Sequence, residues 1–424
     1  MLHRLGRILD IISILAVLLI VGGSDNPRLT NNTDHVRLYT REIEFDYPNW
    51  VWDAAWVKIK QASIGASFTF DRETDKEIVF DYLRTTSRRI GTENRIEQIY
   101  ADPNILDKET ATESLRAQRD KFSERQKELA PFAESILQAQ VSEVLAQLDL
   151  TTAGQPLPPI LYHNSPTPLA LIVSPRSKIE QIANISVLPT LTLDEQIALE
   201  NKVAESLDVS TLIVPIGGVG VYPTLVTETT DLHWLLNTIA HEWTHNYLNI
   251  RPLGINYSTT PELRTMNETT ASIVGDEVGQ IVVQTYYPEL LASNTNGIPT
   301  LLNNPLLPSS KLDDPPPFDF RAEMHETRVK ADELLAEGKI EEAETYMEAR
   351  RQIFLQNGYL LRKLNQAYFA FNGAYADVPG GAAGEDPVGP AVRALRAQSA
   401  SLSDFIKTIS WMTSFEQLQQ AVQQ

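Results

Sequence analysis

The chain has 424 residues, with 36 Lys and Arg against 55 Asp and Glu and a formal net charge of −19. It is long enough for two or three domains, and its acidic surface repels phosphate backbones, so no nucleic acid is expected as a partner. Hydrophobic residues make up 42% and charged residues 21%, which excludes a disordered chain and a multi-span membrane protein. Cysteine is absent, and with it disulfides, Cys-type zinc sites, iron–sulfur clusters and cysteine nucleophiles, so any metal must be held by His and carboxylate.

Arg4 and Arg7 precede an apolar run over residues 11–21, broken only by Ser13, and Gly22-Gly23-Ser24-Asp25-Asn26-Pro27 closes it. Charge, apolar core and small residues in that order are those of a secretory signal. Counted from Ile8, the run also approaches the ~20 residues of a membrane span. Residues 1–25 are therefore read as a signal peptide or as a membrane anchor through residues 8–23. Positive charge upstream keeps the N-terminus in the cytoplasm, so the rest of the chain is expected to be exported: periplasmic, extracellular or anchored facing outside.

Residues 26–150 read as a mainly helical N-terminal region after a strand-like start. Trp50, Trp52 and Trp56 fall on one amphipathic stretch, residues 49–61, and are assigned to the core rather than to a membrane interface. Residues 107–148 carry apolar side chains at helical spacing, with a break or kink expected at Pro131. Gly154, Pro156, Pro158 and Pro159 mark a boundary. In residues 151–304, strands are predicted at 169–173, 179–188 and 211–216, with a helix at 193–207. Gly217-Gly218-Val219-Gly220 continues extended to Val226. No Lys stands at the Walker spacing, so this is an edge strand or turn rather than a phosphate loop. A Pro-rich linker at 305–317 opens a helical C-terminal lobe, residues 305–424. It contains a hairpin of helices 320–337 and 340–356 turned at Gly338, more helix to about Tyr375, and a terminal helix.

The chemistry concentrates in the helix that starts near Asp231, which carries His241-Glu242-Trp243-Thr244-His245. Thr229 or Thr230 is expected to cap it. His241 and His245 are four residues apart, about 40° around a helix, so both imidazoles project toward one point. Leu232, Leu235, Leu236, Ile239, Trp243 and Tyr247 form the opposite, apolar side, and His233 is expected to pack or cap. Glu242 flanks the polar front and can reach a metal-bound water as general base. A structural His pair is the alternative. A second helix, from Thr260-Pro261, carries Glu268 with Ala271, Ser272, Gly275 and Gly279 on the surrounding face. Small residues there allow close helix approach, so Glu268 could complete a His2Glu site with water in the fourth position; otherwise it is a solvated helix carboxylate.

His241-Glu-x-x-His245 followed by Asn267-Glu268-x-x-Ala271 resembles the gluzincin metallopeptidases, the clan of thermolysin and the aminopeptidase N-like enzymes. The resemblance implies one Zn2+ per chain on His241, His245 and Glu268, with Glu242 activating water. Its specific part covers only about 50 residues. The interval from His245 to Glu268 is 23 residues, a few longer than usual. Thermolysin-like enzymes carry Asp four residues after the ligand Glu, where this chain has Ser272; Asp276, on nearly the same face, is the substitute. The glycine segment lacks the Glu that binds a substrate amine in aminopeptidases. Tyr368 and Tyr375 are the candidates for the oxyanion donor that a Tyr or His supplies in relatives.

The expected fold is thus α+β, a zincin-like core with a small mixed sheet flanked by helical regions. The expected function is zinc-dependent hydrolysis of peptide or protein substrates, with Gly218, Val219 and Gly220 as the strand edge that receives the peptide. The alternative is an exported binding or scaffold protein of the same fold with little or no hydrolysis.

Overall fold

The computed structural model describes residues 31–63, 71–101, 105–293, 318–374, 381–384 and 386–423. The N-terminal apolar run, the Pro-rich linker and Tyr375 lie outside them. Among the described residues no helix is long and apolar enough to cross a membrane.

Four helices come first: α1 (Asn32–Thr40), α2 (Tyr47–Ser63), α3 (Arg72–Ala101) and α4 (Lys108–Gln147). The strand-like start is replaced by α1, whose cap Asn31 accepts from the Asp34 N–H at 2.8 Å. Extended pairing is limited to a bridge between Glu44 and Val187. Helix α4 runs through Pro131. The bond that proline forfeits is to the carbonyl of Lys127, an exposed residue whose C=O can turn to water. Of the three tryptophans assigned to the core, only Trp50 packs inward, its Nε1 donating to Ser165 Oγ at 2.7 Å. Trp52 and Trp56 are exposed.

The second half of the inward face of α2 is polar instead. Glu134 of α4, fully buried, accepts from Lys58 Nζ at 2.5 Å and Gln61 Nε2 at 2.7 Å, and its other oxygen takes the Asn164 N–H at 3.0 Å and meets His163 Nδ1 at 3.0 Å. Burial alone would raise this carboxyl, but Lys58 and His163 outweigh it and hold Glu134 at about 2.

The strands form two sheets rather than the one expected. In the first, β1 (Tyr162–Asn164) pairs parallel with β6 (Thr224–Val226), which pairs antiparallel with the edge strand β5 (Gly218–Val219). In the second, β2 (Leu169–Pro175) lies between β3 (Ala183–Val187) and β4 (Val209–Pro215), all antiparallel. The split falls at Pro215, the last residue of β4, which has no N–H to extend the ladder. Helix α5 (Leu193–Leu207), started by a Thr192–Glu195 capping box, buries Leu199 and Val203 against the second sheet with Val36 of α1.

Helices α6 (Leu232–Leu248), α7 (Pro252–Ile255), α8 (Pro261–Tyr286) and α9 (Pro288–Ser293) follow. After them come α10 (Phe320–Ala336) and α11 (Ile340–Gln356), the expected hairpin, with Gly338 at φ +75° between them, and α12 (Gln366–Asn372). The chain closes with α13 (Val388–Gln398), α14 (Leu402–Ile409) and α15 (Phe415–Val422). The main core joins α3, α4, α6, α8 and α13 to α15. A buried carboxylate pins the α11–α12 connection to the second sheet: Glu200 receives Arg362 Nη1 at 2.7 Å, Lys363 Nζ at 2.6 Å and the Ile213 N–H at 2.6 Å. The overall class is α+β, with helix predominating.

Candidate metal centre

Helix α6 is capped by Asp231 itself, whose side chain accepts from the Trp234 N–H at 3.0 Å, while Thr229 Oγ1 accepts from the Asp231 N–H at 3.0 Å. The capping role expected of Thr229 or Thr230 therefore falls to the next residue, Asp231, the better acceptor. The six apolar residues of the back face are all buried, which fixes the rotation of α6 and turns His241 and His245 to one side. His233 is exposed.

Facing them is α8, capped by Thr260 with Pro261 in its first turn. Its approach to α6 is close. A Cβ built on Gly275 would lie 2.8 Å from the Asn237 carbonyl oxygen and 3.2 Å from His241 Cβ; on Gly279 it would lie 1.8 Å from Asn237 Oδ1. Two glycines one helical turn apart thus let the backbones meet and carry Glu268 up to the histidines.

The three groups converge. His241 Nε2 and His245 Nε2 are 3.1 Å apart, and Glu268 Oε2 lies 3.6 Å from the first and 3.5 Å from the second. Ligands about 2.1 Å from one ion at tetrahedral angles stand about 3.4 Å from each other, so this triangle has the dimensions of a metal site. Two further observations agree. Glu268 Oε1 accepts the Tyr257 hydroxyl, leaving Oε2 buried with no hydrogen bond. Asn267 Oδ1 sits 2.8 Å from His245 Nδ1; accepting a proton there leaves the Nε2 lone pair for a cation. Together His241, His245 and Glu268 can hold a metal ion.

The electrostatics call for positive charge. Burial lowers the His245 pKa, but Glu268, then Glu242 and Asn267, raise it to about 9. Burial raises Glu268, yet the two imidazoles hold it well below the usual carboxylate range. Glu242 is pushed up, by burial first and by Glu268, against the pull of His241 and His245.

Beside this triangle opens a cavity of about 670 Å³. Strand β5 forms part of its wall: a Cβ on Gly218 would stand 2.6 Å from Glu242 Oε1, and one on Gly220 would stand 2.8 Å from His245 Cβ. Glycine is what lets this edge pass directly over both side chains. The lining also includes Trp234, which a Cβ on Gly217 would meet at 2.7 Å, and Tyr47, whose hydroxyl is 2.8 Å from Ser186 Oγ of β3.

The structure therefore brings together His241, His245, Glu268, Glu242, Gly218, Val219 and Gly220. Ser272 and Asp276 line the cavity, and Asp276 Oδ1 accepts from Asn237 Nδ2 at 2.8 Å. The partner of His245, however, is Asn267. Its place immediately before Glu268 is a signal in the sequence, whereas the resemblance to thermolysin-like enzymes points four residues past Glu268, to Ser272. Tyr368 does not line the cavity: it packs on Phe369 with ring centroids 5.6 Å apart, and burial pushes its hydroxyl up to about 12. Phe371 and Asn372 of the same helix reach the cavity in its place. Among the described residues the tyrosines on the cavity wall are Tyr47 and Tyr257. Tyr257 falls in the lengthened interval between His245 and Glu268, which was its only sequence signal. Arg264, one turn before Glu268, also lines the cavity and donates to the Ala370 carbonyl at 3.0 Å.

No protein-family model, curated protein sequence or solved structure matches the chain.

Proposed function

We propose that the chain is an exported zinc-dependent peptidase with a zincin-like core, in which His241, His245 and Glu268 bind one zinc ion and Glu242 transfers protons. The observation that carries this reading is the placement of buried Glu242 beside three convergent ligand atoms, under a glycine strand edge. Zinc held there supplies a Lewis acid and brings the pKa of a water from about 15.7 toward about 7. Glu242 takes a proton from the attacking water and returns it to the amine nitrogen as the peptide C–N bond breaks. Main-chain groups of Gly218 to Gly220 align an extended peptide by strand pairing, with little demand on its side chains. Tyr257 occupies Glu268 Oε1, so Oε2 is the oxygen that would hold the ion.

The test pairs elemental analysis for zinc with hydrolysis across a broad peptide library. Glu242→Gln is expected to keep one zinc per chain and lose turnover by about 10²-fold or more, whereas Glu268→Ala loses metal and activity together. Wild-type protein that holds zinc but cleaves nothing, or Glu242→Gln that cleaves as wild type does, would instead indicate a binding or scaffold protein. Export is tested with a reporter fused after residue 30; activity confined to the cytoplasm refutes it.

A further inference from the structure

Helix α2 is inside out. Its buried side carries Trp50 and Ala54 in the first half and Lys58 and Gln61, both held by Glu134, in the second. Its outer side carries Trp52, Trp56 and Ile59, exposed at 74%, 53% and 58%. Positions 52, 56 and 59 are spaced i, i+4, i+7, so the three side chains form one stripe. A surface helix ordinarily turns its apolar stripe inward and its charges to water. Here the ion pair with Glu134 commits the polar side to the interior, and the apolar stripe is presented outward.

We propose that the Trp52–Trp56–Ile59 face of α2 lies in the headgroup region of a lipid bilayer. Three observations select a membrane over other occupants. The stripe is made of two tryptophans with Lys60 Nζ 5.7 Å over the Trp56 ring, the amphipathic chemistry that settles at the bilayer boundary. Next, the chain that precedes it contains the apolar run at residues 11–21 behind Arg4 and Arg7. The ten residues between Val21 and Asn32 span at most about 36 Å, so that run, placed in a bilayer, keeps α1 and α2 within reach of the same surface. Finally, the three exposed side chains offer about 400 Å², half the ~800 Å² per partner that a stable dimer buries. A membrane contact that supplements an anchor has no such minimum.

The placement matters to the candidate metal centre. Tyr47, the first residue of α2, lines its cavity, and Trp52 lies about 7.5 Å further along the helix axis. The stripe stands about 140° around the helix from Tyr47, so a lipid contact there leaves the Tyr47 side of the helix to the cavity. The lipid contact itself does not depend on hydrolysis.

The full-length chain is mixed with phosphatidylcholine vesicles whose acyl chains are brominated near the headgroup, and tryptophan fluorescence is compared with Trp52→Phe/Trp56→Phe. Circular dichroism checks that the variant is folded. Quenching that falls by half or more in the variant, and that weakens when bromine sits deeper in the chain, supports the proposal. Quenching equal in both proteins, or absent, overturns it, even if the apolar N-terminal run holds the chain on the vesicle. Without lipid, acrylamide should quench the fluorescence that the variant removes. Protection there means that the stripe is already covered, by residues 11–21 if the chain is monomeric by light scattering or by a second copy if it is not; either overturns the proposal.

Discussion

The helix crossing that assembles the centre makes a quantitative demand at Gly275. An alanine Cβ there would sit 2.8 Å from the Asn237 carbonyl oxygen, a backbone atom that cannot rotate away. Comfortable contact begins near 3.4 Å or beyond, so α6 and α8 must part by about 0.6 Å. Metal–ligand distances tolerate only about ±0.2 Å, and Glu268 lies two turns from Gly275 on the same helix face. Overpacking costs about 1–3 kcal/mol, against a gain of about 1 kcal/mol when Gly becomes Ala in a helix. Gly275→Ala is therefore expected to lose up to about 2 kcal/mol of stability and to bind zinc at least about 10-fold more weakly. Gly91 of α3, around which an added Cβ meets nothing within 4 Å, is the internal control. Gly91→Ala should gain about 0.5–1 kcal/mol by helix propensity alone and leave zinc binding unchanged. Urea unfolding and zinc competition against a chromogenic chelator read both quantities. Gly275→Ala with wild-type zinc affinity would mean that the close crossing does not position Glu268, and the geometry given for the centre would have to be abandoned.

Asn267→Ala should weaken zinc binding about 10- to 100-fold by releasing His245 Nδ1, with Asn267→Asp restoring it; equal affinities in a chelator titration would refute a positioning role. Glu134→Gln leaves Lys58 buried without its counter-charge and should cost about 3–5 kcal/mol in urea unfolding. The pH dependence follows from the sign of the shift. Glu134 lies at about 2 in the folded chain against an ordinary 4.5, so its stabilisation is complete above pH 4.5 and is lost as pH falls toward 2. The gap between wild type and Glu134→Gln should close over that window; a gap that stays constant to pH 2 contradicts the pairing.

The parts of the fold legible in the sequence were those with strong local periodicity. Leu232 to Tyr247 declared the buried side of α6 and so the direction of both histidines, and the small residues Ala271, Gly275 and Gly279 announced a close-packed face around Glu268. Strand β1 left no comparable trace: Tyr162–Asn164 is too short for alternation, and its partner β6 lies some 60 residues on. Helix α2 defeated the periodicity rule because its orientation is set by Glu134, 76 residues from Lys58, and a long-range ion pair has no local signature. Tyr47 was invisible for the same reason, since its contact to Ser186 spans 139 residues. Tyr368 was placed by analogy with relatives, and the three residues from Tyr368 to Phe371 turn the helix by about 300°, a net 60°, enough to put Phe371 on the cavity instead.

Because the cavity wall begins at Tyr47 and the last of its three convergent groups is Glu268, the order of synthesis bears on when the site exists. At about 5–20 residues per second, a ribosome takes on the order of ten seconds or more to travel from one to the other. During the last stretch of that interval the histidine pair has emerged without its carboxylate, and a two-point grip holds a passing cation far less firmly than a three-point one. The crossing of α6 and α8 then works as a clock as well as a scaffold: a nascent chain cannot bring the two imidazoles and the carboxylate together until Gly275 and Gly279 have let the second helix close.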